Sequence, residues 1–171
     1  MPRDEEEILK LKARIRELEE ENEELKKRRD RARGVQAEEL VAKMAGGERT
    51  EIYKGLHDVT TKKGTRIEVK QSKVHEYKST KTKRWVWDNL VGPKKYDFLV
   101  LAGEKDPGFC EQYPADFEYI FFLVPRGAVS DINSRGDCVA LNTNFATARA
   151  AKARILIERY LVRSQEEFRS L

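Results

Sequence analysis

The sequence has few cysteines and histidines and contains no long apolar run. Its 171 residues include two cysteines, Cys110 and Cys138, and two histidines. The cysteines lack CxxC spacing, so we expect half-buried structural residues rather than a disulfide framework or a zinc site. No run of 18 apolar residues occurs, and the N-terminus reads MPRDEEE rather than a basic segment followed by an apolar one. We therefore expect a cytoplasmic protein with no membrane partner.

Charge is plentiful and is unevenly distributed along the chain. The protein carries 34 basic and 30 acidic residues, which gives a net charge of +4. Residues 1–33 contain 11 of each sign, so the basic excess lies entirely in residues 34–171. This composition predicts two parts: a dimerisation helix over 1–33, and a globular domain over 34–171. A mildly basic domain permits a nucleic-acid partner without requiring one.

The first part shows a heptad repeat. Its two core positions are occupied by Ile8, Ile15, Asn22 and Arg29 and by Leu11, Leu18, Leu25 and Ala32. β-Branched residues at one position, leucines at the other and a single buried asparagine favour a parallel, two-stranded coiled coil. The flanking charges pair favourably between helices in three of four cases. We therefore predict a homodimer, although an isolated, solvated helix rich in Glu and Lys is the alternative.

The second part changes from helical to strand periodicity. A short helix is predicted over Ala37–Ala45, ended by Gly46 and Gly47. Residues 57–61 and 65–73 then alternate around a turn at 62–64, which predicts a β-hairpin. Further along, KYDFLVLAG and FEYIFFLV are typical of buried strands, and residues 145–162 of a long helix.

The hairpin presents a group of charged residues. On its second strand Ile67 and Val69 share one face, while Glu68 and Lys70 share the other. Asp58, on the first strand, can lie beside Glu68, and two converging carboxylates repel unless a cation separates them. Magnesium favours such oxygen ligands, and Lys70 can stabilise charge at a phosphate. The alternative is that these residues are merely the wet face of a hairpin.

The segment HDVTTKKGTRIEVKQSK, followed by WVWDNL and KYDFLVLAG, resembles the PD-(D/E)XK nuclease superfamily over residues 48–124. The resemblance implies an α/β, restriction-endonuclease-like αβββαβ core with a mixed central sheet, in which a helix follows the hairpin. It implies cleavage of double-stranded DNA with Mg²⁺, for which Mn²⁺ substitutes, and a catalytic role for Lys70. The implied metal ligands are Asp58, Glu68, Val69 and an upstream helical acid. His57 stands where the family name places proline.

Several further residues have two interpretations. Glu51 best matches the upstream acid and Glu48 is the second choice, although either can be a surface glutamate. Trp85 and Trp87 are expected to pack beside the core helix rather than stack on bases. Contacts to the DNA backbone are predicted for seven polar residues, for which a solvated surface is the alternative: Gln71, Ser72, Lys73, Lys78, Lys81, Lys83 and Arg84. Base contacts are a weaker suggestion for Asn133, Arg135, Asn142 and Asn144.

These features together predict a dimeric, Mg²⁺-dependent DNA endonuclease. A two-fold dimer matches a palindromic site, which favours a site-specific type II restriction endonuclease. A homing or phage-encoded nuclease shares the same chemistry and is the nearest alternative. A non-catalytic DNA-binding or scaffolding coiled-coil protein is the alternative from a different functional class.

Overall fold

The computed structural model describes residues 3–50, 56–133, 136–144 and 150–171. The chain divides into two compact units, Met1–Val35 and Gln36–Leu171. The second unit contains two β-sheets and most of the buried side chains. In the described part of the chain, no helix is long and apolar enough to cross a membrane.

The first helix, α1, spans Arg3–Ala45. The helices predicted separately over 1–33 and Ala37–Ala45 are therefore parts of one helix that continues through Gly34; one glycine destabilises a helix by only about 1 kcal/mol. The predicted end is confirmed, because Gly46 follows with φ +64°, a conformation that favours glycine at helix ends. The apolar heptad residues Ile8, Leu11, Ile15, Leu18 and Leu25 are all exposed in the single chain.

The larger sheet has five strands in the order β1-β2-β3-β6-β7. Their bounds are β1 Gly47–Arg49, β2 Val59–Thr61, β3 Arg66–Ser72, β6 Phe98–Glu104 and β7 Tyr119–Pro125. The pair β3·β6 is parallel, and the other three pairs are antiparallel. The mixed sheet and the predicted hairpin, β2 and β3, are confirmed; Gly64 forms the turn with φ +86°.

The smaller sheet has the order β4-β5-β8, with β4 His75–Tyr77, β5 Thr82–Asp88 and β8 Cys138–Asn142. The helix expected around WVWDNL is wrong, because this segment forms β5. The parallel strands β3 and β6 are thus connected through a β-hairpin and a loop. Trp85 and Trp87 alternate along β5 and are buried, so packing is confirmed as their role.

The remaining helices are short. They are α2 Pro107–Gln112, α3 Val129–Ile132, α4 Ala150–Tyr160 and α5 Glu166–Arg169, and a 3₁₀ turn at Arg126–Ala128 precedes α3. The predicted C-terminal helix is found as α4; its expected start, 145–149, lies outside the described residues. Cys110 and Cys138 are both of intermediate exposure, as predicted.

The larger sheet separates two apolar clusters. On one face, Ile67 and Val69 belong to a cluster that includes Ala37 and Val41 of α1. On the opposite face, Leu99 and Leu101 belong to a cluster that contains both tryptophans; we call this the tryptophan face. Gly103 permits close packing there, because a Cβ atom would lie 2.6 Å from the Trp85 ring. Glu68 of β3, although charged, is fully buried within this well-packed region.

Candidate active site

The β2–β3 hairpin brings the three predicted catalytic residues into one region. Asp58 immediately precedes β2, and its amide donates a hydrogen bond to the Ile67 carbonyl at 3.0 Å. Glu68 and Lys70 are alternate residues of β3, in register with Leu99 and Leu101 of β6. Because neighbours in a parallel register share a face, both charged side chains lie on the tryptophan face.

Asp58 has an unusual electrostatic environment. Its Oδ2 atom accepts a hydrogen bond from the Val69 amide at 2.8 Å. Burial, and then the negative charges of Glu68 and Glu38, raise the pKa of Asp58 to about 6; the Val69 hydrogen bond and Lys94 oppose this shift. A carboxyl group with such a pKa is destabilised in its charged form, so a nearby cation would stabilise it.

Glu68 is a fully buried carboxylate, and its two oxygens differ in their hydrogen-bond contacts. Oε1 accepts from the Lys70 ammonium at 2.9 Å and also from the Lys94 ammonium. Oε2 is buried, and the described residues provide no hydrogen-bond partner for it. An unpaired buried carboxylate oxygen is energetically unfavourable and calls for a ligand, an ion or a water molecule.

Lys94 is the site residue that sequence reasoning missed. It lies in the loop between β5 and β6, 26 residues beyond Glu68. Burial lowers the pKa of Lys94, but its hydrogen bond to Glu68 and the negative charges of Glu68 and Asp58 outweigh this effect, so the pKa is raised overall. The surrounding sequence, GPKK, is typical of a turn and gives no indication of a contact with β3. Only the parallel pairing of β3 with β6 reveals it.

The upstream acid differs from the sequence-based choices. Glu51 lies outside the described residues. Glu48 is exposed on β1 rather than on a helix. The helical acid whose charge reaches Asp58 is Glu38 of α1, which forms an ion pair with Arg49 at 2.9 Å between Oε2 and Nε. Glu38 lies 20 residues before Asp58 in the sequence, so no local sequence pattern indicated that the two residues interact.

The oxygen donors of the site are compatible with a hard cation. Asp58 and Glu68 offer carboxylate oxygens, and the apolar Val69 could contribute only its main-chain carbonyl. Glu68 Oε2 is a buried oxygen without a hydrogen-bond partner in the part of the chain that the structure describes. The described residues contain no group of three His, Cys, Asp or Glu side chains placed to hold a metal. The donor set therefore fits an ion such as Mg²⁺ that takes one or two carboxylates and fills its other positions with water and phosphate.

The polar residues at the end of β3 are not equivalent. Ser72 is buried; its hydroxyl donates to the Lys73 carbonyl at 3.0 Å and accepts from the Val86 amide at 2.9 Å. It joins β3 to β5, so its hydroxyl is occupied within the protein and the structural interpretation is favoured. Gln71 and Lys73 are partly exposed beside it.

The predicted basic residues lie together on the β4–β5 hairpin. Lys78, Lys81 and Lys83 are exposed. Arg84 is partly buried, with its guanidinium 3.9 Å from the centre of the Tyr77 ring. The β4–β5 hairpin of the smaller sheet thus carries several basic side chains close together, and such side chains are suited to contacts with phosphate groups.

The other polar candidates have local structural roles. His57 Nε2 lies 2.8 Å from Thr60 Oγ1. Asn133 donates to the Gly136 carbonyl and accepts from the Cys138 amide, while Asn144 donates to the Lys81 carbonyl at 3.1 Å. Asn142 lies on β8 with partial exposure. Arg135 lies outside the described residues.

Comparison with known proteins adds no family assignment, because neither a scan of protein-family models nor a search of curated proteins found a match. The functional argument therefore depends on the geometry of the site.

Proposed function

We propose that the protein is a Mg²⁺-dependent, dimeric DNA endonuclease of the PD-(D/E)XK type, and that its centre consists of Asp58, Glu68 and Lys70. The observation that carries this proposal is the buried Glu68 carboxylate: its Oε2 atom has no hydrogen-bond partner among the described residues, and after burial its charge is the next cause that raises the pKa of Asp58. Two carboxylates held together inside a protein are unfavourable without a cation, and perturbed carboxyl groups of this kind cluster at functional sites.

The chemistry proposed for this site is hydrolysis of a phosphodiester bond. A bound Mg²⁺ would supply Lewis acidity, and Asp58 and Glu68 would hold it. The protein's own contribution is positional: Glu68 and Lys70 are alternate residues of β3, in register with Leu99 and Leu101 of β6, which fixes them relative to each other. The Lys70 side chain is about 20% exposed, with its ammonium at the margin of the site. From there it can stabilise negative charge that develops on a phosphate.

The proposed partner surfaces are a coiled coil and a basic hairpin. Most of the exposed large apolar residues of α1 occupy heptad core positions, with Leu9 as an exception, and a second copy of the same helix would cover those at the core positions. Lys78, Lys81 and Lys83 are available for the backbone of double-stranded DNA. A two-fold dimer would present two catalytic centres to two strands, which favours a type II restriction endonuclease; a homing or phage-encoded nuclease would use the same centre.

The decisive experiment is incubation of the purified protein with plasmid and genomic DNA, with and without Mg²⁺. We expect Mg²⁺-dependent discrete fragments from the parent protein and none from Glu68→Gln. Smearing would indicate a nonspecific nuclease. Retarded but uncut DNA would contradict the catalytic proposal.

One observation favours a second candidate, a non-catalytic DNA-binding or scaffolding protein. Lys70 and Lys94 both contact Glu68 Oε1, so this carboxylate already has two cationic partners. Such a cluster can serve as a structural ion pair. Under this interpretation Glu68→Gln would bind DNA as the parent does, and neither protein would respond to Mg²⁺.

A further inference from the structure

We propose that Lys94 is an internal competitor for the metal: its ammonium neutralises the Asp58–Glu68 pair in the metal-free protein and must leave Glu68 when a divalent cation binds. This inference rests on the proposed metal site. It assigns a positioning role to a residue outside the proposed centre of Asp58, Glu68 and Lys70. It concerns the loading of the site with metal rather than the hydrolytic step.

The geometry gives Lys94 the role of a substitute cation. Its ammonium contacts Glu68 Oε1, and its charge also acts on Asp58. It therefore interacts with both carboxylates that would hold a metal. Lys70 contacts the same Glu68 oxygen at 2.9 Å, so two ammonium groups share one acceptor atom. A divalent cation held at Oε2 of the same carboxylate would still be repelled by both ammonium groups, and one lysine must move to reduce this repulsion.

Lys94 is the lysine that can move. Lys70 lies within β3, in register with Leu101 of β6, and its side chain is about 20% exposed. Lys94 lies in a loop, and its side chain is about 30% exposed. A lysine side chain has four rotatable bonds, so its ammonium can turn toward solvent without a change in the backbone.

The backbone of this loop is hydrogen-bonded to neighbouring segments, which restricts the displacement to the Lys94 side chain. The Lys94 carbonyl accepts a hydrogen bond from Arg126 Nη1 at 2.5 Å. The Lys95 amide donates to the Leu56 carbonyl at 3.0 Å, and the Tyr96 hydroxyl donates to a backbone carbonyl in the same loop. Exchange of ammonium for metal at Glu68 therefore requires rotation of one side chain and no loop opening.

The test is direct titration with Mn²⁺ in the absence of DNA, with free Mn²⁺ followed by electron paramagnetic resonance. Lys94→Met removes the charge and keeps a chain of similar length, whereas Lys94→Gln removes the charge but retains a hydrogen-bond donor for Glu68. The matched control is Lys95→Met, which removes the same charge from the exposed neighbour. Circular dichroism and urea melting establish that each variant is folded.

We expect both Lys94 variants to bind Mn²⁺ at least about tenfold more tightly than the parent, because removal of a cation next to the site removes its repulsion. Lys95→Met should bind like the parent, and the gain should vanish in Lys94→Gln combined with Glu68→Gln. Unchanged or weaker Mn²⁺ binding by the Lys94 variants would overturn the role of Lys94 as a competitor. If the parent still bound Mn²⁺ in a way that depends on Glu68, the proposed function would remain intact. Absence of Glu68-dependent binding in every variant would overturn both.

Discussion

Replacement of Asp58 with asparagine should stabilise the metal-free protein while abolishing DNA cleavage. The carboxylate is disfavoured by burial and by the charge of Glu68. An asparagine of nearly the same shape removes that charge, and its oxygen can still accept the hydrogen bond from the Val69 amide. Alanine would be a poorer choice, because it would leave this amide without an acceptor.

The magnitude follows from the pKa of Asp58, which rises from its ordinary value of 3.8 to about 6 in the folded protein. Two units correspond to about 3 kcal/mol. Because the folded state retains its proton to higher pH than the unfolded state, stability falls as pH rises from about 4 to about 6, and the full deficit is present above that range. Asp58→Asn should recover up to about 3 kcal/mol at pH 8, an increase in Tm of about 6–12 °C.

The assay is urea unfolding in a metal chelator at pH 4, 6 and 8, with Asp88→Asn as the control for loss of an exposed carboxyl. The gain of Asp58→Asn should be large at pH 8 and negligible at pH 4, and the control should show little change at any pH. A variant no more stable than the parent at pH 8, or equally stabilised at pH 4, would refute the electrostatic reasoning. Added Mg²⁺ should stabilise the parent and not the variant.

Four further changes test other parts of the molecule. Lys70→Met should abolish cleavage but retain DNA binding in Ca²⁺, measured by gel retardation; continued cleavage would show that the D…ExK assignment is wrong. Asp97→Asn should cause a small loss of stability at pH 7 in urea melts. The hydrogen bonds from Arg66 lower the pKa of Asp97 to about 2, so this loss should disappear as pH falls from about 4 through 2. Gly103→Ala should destabilise the protein by about 1–3 kcal/mol, because its Cβ would collide with Trp85; an unchanged Tm would contradict the packing. Asn22→Leu should strengthen association of α1 but broaden the distribution of oligomers in light scattering, and a monomeric parent would eliminate the coiled coil.

The hairpin was predictable because its signals are local. A glycine turn separates two alternating segments, and Gly64 adopts the positive φ that the turn requires. Apolar runs likewise identified β6 and β7. The helix expected at WVWDNL came from the family resemblance, although Trp85 and Trp87 alternate with the period of a strand. Their large side chains are buried against the larger sheet, which favours β5 over a helix.

The contacts of the site that the sequence did not reveal are long-range. Lys94 is one of 34 basic residues, and nothing in GPKK distinguishes it. Glu38 occurs among the many glutamates of α1, and its effect on Asp58 depends on how the end of the helix packs against the sheet. Local periodicity determines which face of an element a residue occupies, but contact between distant segments depends on strand order and register.

The parallel pairing of β3 with β6 also has a consequence for the order of folding. Asp58 and Glu68 are joined by a short hairpin, a structure that closes in about 1–10 μs in isolation. Arg66 and Asp97, at the start of the parallel pair, are 31 residues apart, and such long-range contacts form more slowly. Folding can therefore bring the two carboxylates together before Lys94 arrives. Docking of β6 would then relieve a repulsion that the hairpin had created, so the neutralisation of the site would help to drive the assembly of the sheet.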